Sequence, residues 1–267
     1  MTSMRLTSLG YRTDLLFHRF GGEVVDRGSY LVIRTPSNPN YYWGNFLIFS
    51  APPQPGDFRR WNAVFEHEVG TPPRINHKVF TWDTTDGNNG AVGDFLEAGF
   101  ELGEEVVMAT DTLVRPKRYH YGLELRTLTT DADFAEHLEL HVLCRQDDAG
   151  YRKFFKTRAK SYRQMIAAGL GRWFGAFLDG KLVADMGIFG EGELARYQSV
   201  VTHPDFRRRG VCSTLLYEVG HFALETLGAK TLVIVADDHY FAKSIYAAVG
   251  FRVHERQGSL EWVSKTP

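Results

Sequence analysis

The sequence predicts an α/β protein of two similar units, each a mixed central β-sheet flanked by helices, with the N-terminal unit only partial. Three observations point there. Strands and helices are mixed along the C-terminal half, that half ends in a strand–helix–strand crossover, and the first 120 residues carry a weak echo of it.

The C-terminal elements follow one another with clear punctuation. LELRTLT (123–129) alternates as a strand does, and DADFAEHLELHVLC (131–144) opens on an N-cap aspartate and continues at helical spacing. A second helix runs through YRKFFKTRAKSYRQMIAAG. WFGAFLDG and KLVADMGIFG are strands joined at Asp179-Gly180, a dipeptide that favours a tight hairpin. ELARYQSVVTHP is a third strand, ended by Pro204, which cannot donate to a ladder. VCSTLLYEVGHFALETLG is a helix stopped by Gly228, TLVIVAD a short buried strand, and HYFAKSIYAAVG a helix stopped by Gly250. FRVHERQGSLEWV closes the chain as a hairpin or strand.

Composition narrows the class. With 267 residues, 43% hydrophobic and 24% charged, the chain has enough apolar surface for one large core or two small ones. A formal charge of -1 gives no global field for nucleic acid or membrane, so neither is expected as a partner and any anion site must be local. Cys144 and Cys212 are too few for a disulfide framework or a multi-cysteine zinc site, which suits a reducing, cytoplasmic setting. MTSMRLTSLG has no apolar signal core, and no run approaches the roughly 18 apolar residues of a membrane helix.

FRRRGVCSTLLYE (206–218) is the stretch that carries chemistry. A strand delivers the chain to Pro204, residues 205–209 turn, and a helix starts near Gly210, so the unpaired N–H groups of its first turn face out. Those donors and the helix dipole favour an anion, and glycine lets the backbone come close to it. Val211, Cys212 and Ser213 keep the next N–H groups accessible, and arginine suits phosphate oxygens. A pyrophosphate fits such a site. Neither the P-loop ending nor the Rossmann glycine pattern is present, which disfavours ATP and NAD by those routes.

Arg207-Arg208-Arg209-Gly210-Val211-Cys212 resembles the acetyl-CoA motif of the GCN5-related N-acetyltransferase (GNAT) superfamily, with cysteine where a smaller residue is usual. VVTHPDF before it is similar to that superfamily's fourth strand, and YAAVGF (246–251) stands where its second signature belongs. The resemblance spans residues 123–263 and implies an acetyl-CoA-dependent N-acyltransferase. It implies that backbone groups of Val200, Val201 and Thr202 pair with the pantetheine arm and that amides from Arg207 to Ser213 hold the pyrophosphate. It implies further that Tyr246 protonates the leaving thiolate. Glu193 and Asp185 are alternative candidates for the base that frees the amine. His239 stands where the superfamily often has asparagine, which puts that cofactor contact in question. The implied acceptor is a primary amine of a small molecule, or else a peptide N-terminus or lysine. A non-catalytic acyl-CoA-binding or regulatory module is the alternative class, and the oligomeric state, a homodimer included, is open.

Plainer readings stand beside these. Tyr246 also fits a core position, and Cys212 fits an inert small side chain better than an activated thiolate, because no histidine is clearly placed to partner it. His137 and His141 share a helical face, but Leu138 stands where H-E-x-x-H needs glutamate, so no metal is expected. Arg152, Lys153, Lys156, Arg158, Lys160 and Arg163 make a basic helix that reads as a solvated face or as the frame of an acidic acceptor.

Sliding the halves by about 148 positions pairs PGDFRRWNAVFEHEVG (55–70) with HPDFRRRGVCSTLLYEVG (203–220), KVFTWDTT with TLVIVADD, and FLEAGFE (95–101) with YAAVGFR (246–252). On that pairing Asn62, preceded by Trp61, replaces Gly210, and Phe95 replaces Tyr246, so the first copy lacks both the open helix start and the proton donor. Residues 1–118 are therefore expected to be a degenerate, non-catalytic unit and 119–267 the acetyl-CoA-binding one. RPKRYHYG (115–122) serves as the linker.

Overall fold

The computed structural model describes residues 3–145, 149–238 and 241–264. It divides into two compact units: Met1–Val107 with Val235–Tyr240 and Val253–Pro267, and Met108–Ile234 with Phe241–Arg252. The single boundary expected near residue 118 is thus replaced by one after Val107, and the last strand returns to the first unit. Among the described residues, no helix is long and apolar enough to cross a membrane.

The first unit contains α1 (Leu9–Gly21), β1 (Glu23–Asp26), β2 (Tyr30–Arg34), β3 (Phe46–Phe49), α2 (Asp57–Glu68), β4 (His77–Trp82), α3 (Gly93–Glu97) and β5 (Glu101–Thr110). The chain's final strand, β11 (Arg252–Val263), joins them, giving the strand order β1-β2-β3-β4-β11-β5. β11 runs antiparallel to β4, from Ser259 opposite Thr81 to Val263 opposite His77. α1 has no counterpart in the sequence expectations. Ser8 caps it by accepting from the Tyr11 amide, and Tyr11, Leu15 and Leu16 bury one face.

β3 and β4 are parallel, joined by α2, and pair to the very end of β3: Leu47 with Phe80, Ile48 with Thr81, Phe49 with Trp82. The Asp83 amide extends the ladder by donating to the Phe49 carbonyl at 2.8 Å. Trp61 of α2 lies flat on Phe49, ring centroids 3.8 Å apart and planes 8° apart, with Phe65, Phe80, Phe95 and Phe100 around it.

The second unit contains β6 (Glu124–Thr127), α4 (Asp131–Cys144), α5 (Ala149–Ala167), β7 (Gly171–Leu178), β8 (Lys181–Glu191), β9 (Leu194–Thr202), α6 (Val211–Glu225), β10 (Thr231–Asp237) and α7 (Ala242–Ala247). Its strand order is β10-β9-β8-β7-β6. As the dipeptide requires, Asp179 and Gly180 are both left-handed, with φ of 51° and 76°. The cap of α4 is Thr130 rather than an aspartate. Its hydroxyl accepts from the Asp133 amide while the Asp133 carboxylate accepts from the Thr130 amide, a reciprocal box.

Glu255 of β11 is the polar tie that fastens the returned strand to α1. It accepts from the Ser8 hydroxyl at 2.7 Å and from the Leu9 amide at 2.8 Å, and it is buried. Replacing it with alanine leaves both donors unmatched and should cost about 2 kcal/mol in urea unfolding. Amide exchange should accelerate in α1, distant in sequence, and not in α6; acceleration confined to α6 would contradict the assignment of β11 to the first unit.

Candidate active site

The second unit opens its sheet where the first keeps it closed. β9 and β10 form only a short parallel ladder, Thr231 with Leu194, Leu232 with Ala195 and Val233 with Arg196. β9 continues to Thr202 beyond it. Along the other edge, β8 pairs Asp185 with Val201 and Gly187 with Gln198, so the register shifts by a bulge centred on Ser199 and Val200. Ser199 takes the left-handed φ of 51° that the extra residue needs. The half-buried Val200, Val201 and Thr202 therefore lie past the ladder, on a stretch whose backbone has been turned by the bulge.

A tight turn follows. Pro204–Phe206 is one turn of 3-10 helix, the Arg207 amide donates to the Pro204 carbonyl at 3.3 Å, and Arg208 and Gly210 are left-handed with φ of 60° and 84°. Gly210 is then the N-cap of α6, with no side chain capping the helix. A Cβ at Gly210 would lie 2.0 Å from the Arg118 carbonyl oxygen, so both the backbone angle and this close approach require glycine. The amides of Val211, Cys212 and Ser213 head the helix, where the i−4 ladder offers them no acceptor. Two contacts were not foreseen: the Arg207 guanidinium folds back to donate from Nε to the Thr202 carbonyl at 3.1 Å, and the Cys144 thiol approaches the same oxygen at 3.6 Å.

Cys212 behaves as the inert reading expects, since burial pushes its thiol up to about 11 despite a hydrogen bond to Thr202. It stays protonated at neutral pH. Tyr246 is buried on α7, and its carbonyl accepts from the Phe251 amide at 3.2 Å. Phe251 packs edge-on against Tyr197 of β9 at 5.7 Å, and the Tyr197 hydroxyl donates to the Leu216 carbonyl of α6 at 2.8 Å. α7, β9 and α6 are thereby tied together around the opened edge. His239 lies outside the described residues.

Both proposed bases are corrected by their surroundings. Glu193 sits exposed in the turn before β9, ion-paired with Lys230, while its carbonyl accepts from the Lys230 and Thr231 amides at 2.8 and 3.0 Å. At about 3.3 Å per residue it stands roughly 20 Å along the strand from Ser199. Asp185 is fully buried among three donors: His137 Nδ1 at 2.9 Å, His141 Nε2 at 2.8 Å and Trp173 Nε1 at 3.1 Å. The two histidines hold its carboxyl below the usual carboxylate range although burial alone would raise it. A carboxylate so saturated and enclosed has no reach to an acceptor amine.

Among the described residues, His137, His141 and Asp185 place their possible ligand atoms within 4.8 Å of one another. Their nitrogen–oxygen distances are those of hydrogen bonds, and Phe155 stacks on His141 at 4.1 Å while Trp173 abuts His137 at 4.6 Å. The cluster fastens α4 to β8 directly opposite the bulge. The i, i+4 histidines were its only sequence signal. Sequence reasoning also missed a second group on β9: Arg158 Nη2 and Gln198 Nε2 both donate to the Tyr162 hydroxyl, at 2.8 and 2.9 Å.

The internal repeat is half confirmed. Phe95 and Tyr246 occupy equivalent places: the Phe100 amide donates to the Phe95 carbonyl at 3.0 Å as Phe251 does to Tyr246, and Gly99 and Gly250 follow at φ of 86° and 107°. The shared Asp-Phe-Arg-Arg is not equivalent. It opens α2 in the first unit but precedes α6 in the second, and the matching helix cap is Gly56, with φ of 88°. Asn62 therefore does not replace Gly210, and Trp61 is a core residue rather than an obstruction at a helix start. What closes the first copy is its fully zipped β3–β4 ladder.

Residues 142–267 match the model of the acetyltransferase (GNAT) domain family. No curated protein matches the sequence. Among solved structures, a functionally unknown conserved protein of Staphylococcus epidermidis superposes with a TM-score of 0.70 at 14% identity, over 91% of this chain and 94% of that one. A GCN5-related N-acetyltransferase of Kribbella flavida does so with 0.65 at 12%, over 96% of each. A tandem GNAT protein from the clavulanic acid biosynthesis pathway gives 0.55 at 15%, over 91% of this chain and 83% of its own. The fold is accordingly that of two GNAT-like domains.

Acid should loosen the His–Asp–His cluster in two stages. Burial lowers the His141 pKa, so its contribution declines as pH falls below about 6.5, the ordinary histidine value; the depressed Asp185 contributes fully above about pH 4 and is lost below it. Asp185→Asn should cost about 3 kcal/mol at pH 7, steepen the loss of stability between about pH 6.5 and 4 because the carboxylate no longer raises the His141 pKa, and flatten it below about pH 4. Urea midpoints across that range check both, and an unchanged slope would remove the cluster as its source.

Proposed function

We propose that this chain, whose residues 142–267 match the GNAT acetyltransferase domain family, transfers an acetyl group from acetyl-CoA to a primary amine of a small molecule. The parting of β9 from β10 after three residue pairs carries the reading, because it leaves the edge of β9 at Val200–Thr202, apart from the Thr202 carbonyl that Arg207 takes, for a guest to add as a strand. The pantetheine arm is that guest. The amides of Arg208, Arg209, Gly210, Val211, Cys212 and Ser213 take the pyrophosphate at the head of α6. Arg207 contributes by bracing the Thr202 carbonyl, since its own amide is spent in the preceding turn.

The neutral amine attacks the thioester carbonyl, a nitrogen–carbon bond forms, and the carbon–sulfur bond breaks. Tyr246 gives its proton to the departing thiolate, and the proton lost from the attacking nitrogen as the amide forms returns to the Tyr246 oxygen through water, since Asp185 is enclosed and Glu193 is remote. The first unit binds no cofactor in this account: its ladder is closed, and Phe95 cannot donate a proton. The two cysteines, both free thiols, suit a reducing, cytoplasmic setting.

Tyr246→Phe should lower turnover about a hundredfold with CoA affinity unchanged, measured by thiol release against a panel of small primary amines. Equal turnover would remove the acid role. Wild-type CoA binding without turnover on any amine would favour an acyl-CoA-binding module instead.

A further inference from the structure

The segment before β6 does more than connect. It lies along α6: the His120 amide donates to the Thr214 hydroxyl at 2.8 Å, the Tyr119 hydroxyl donates to Glu218 at 2.7 Å, and the Arg118 carbonyl fills the space beside Gly210. Arg118 Nη1 reaches the Arg208 carbonyl at 3.3 Å, leaving the other guanidinium donors unspent in that contact. Arg115 lies over the rings of Tyr119 and Tyr121, at 4.2 and 5.3 Å, and Tyr121 is 80% exposed. Tyr121 also tilts against Tyr119, ring centroids 4.9 Å apart, and its remaining exposed ring surface is free to stack on a guest.

The charge is as local as the chain's overall balance demands. Arg115, Lys117 and Arg118 are exposed on this segment beside Arg207, Arg208 and Arg209 of the turn. The acidic groups nearby are Glu218, engaged by Tyr119, and Asp205 in the 3-10 turn, beside His203. Arg118 joins the three arginines of the turn at one helix start, more cations than a pyrophosphate held by backbone amides requires, and Lys117 and Arg115 extend the charge along the segment.

We infer that residues 115–121 form part of the cofactor site and grip the nucleotide end of CoA, with Lys117 and Arg118 taking the ribose 3′-phosphate and Tyr121 stacking on the adenine. This rests on the reading of the second unit as an acetyl-CoA site. The ligand chemistry is specific: a phosphate at the head of α6 lies next to the Arg118 guanidinium, and the phosphate and base that continue from it meet cations and an open ring. This segment of the second unit then gives the site a preference for CoA over shorter pantetheine carriers.

Calorimetry with CoA and with dephospho-CoA, which lacks only the ribose phosphate, tests this on the full chain. The wild type should prefer CoA about tenfold, and the Lys117→Ser, Arg118→Ser double variant should bind both ligands alike, at the wild-type dephospho-CoA level. Tyr121→Ala should weaken both ligands equally. The Arg118 backbone that packs on Gly210 is retained in these variants; should the double variant melt early, Lys117→Ser alone, at an exposed side chain, must still narrow the preference. A double variant that keeps the full preference overturns the inference and leaves the acetyltransferase reading standing. Failure of the wild type to bind either ligand removes both.

Discussion

A parallel pair of strands that stops pairing is the constraint on which the second unit is organised. Backbone N–H and C=O groups left without a ladder partner must find one; β9 runs on from Tyr197 to Thr202 past its last pair with β10, and at its end the Thr202 carbonyl is taken by Arg207. The Ser199 bulge turns that stretch, and the left-handed Arg208 and Gly210 then reverse the chain so that α6 begins with its donors free of a side-chain cap. Behind the bulge, Asp185 pins β8 to α4 through two histidines, so the irregular backbone is braced by a saturated polar core on its far side. Opening on one edge and anchoring on the other are the two halves of one device.

The first unit shows what the same topology becomes without that opening. Its parallel strands pair to their ends, and a stack of Phe49 and Trp61 within an aromatic core fills the ground beneath them. Glycine still caps the following helix and Phe95 still holds the turn where Tyr246 stands, so the scaffold persists after the chemistry is gone. β11, although last in sequence, completes this unit's sheet beside β4. Neither unit is therefore a contiguous stretch of chain.

What could be read from the sequence was whatever local chemistry decides. Asp179-Gly180 fixes a left-handed hairpin, Pro204 ends β9, Gly250 ends α7's segment, and the periodicity of 211–225 makes a helix, none of which needs knowledge of distant partners. Reach was not legible. Asp185 and Glu193 are both acidic residues beside the right strands, but one faces into the core of α4 and the other stands at the wrong end of β9. Asp-Phe-Arg-Arg repeated in sequence while the helix that follows starts six residues later in one copy, because a 3-10 turn is inserted there. The return of β11 to the first unit was equally invisible, since an alternating strand pairs as well with one sheet edge as another until the fold selects it.

The central claim is that one copy is open to the cofactor and the other shut, and the stoichiometry of acetyl-CoA binding measures that directly. Calorimetric titration of the full chain should find one site per chain at micromolar affinity. Two equivalent sites would contradict the closed first unit, and no heat of binding from folded protein would contradict the open second one.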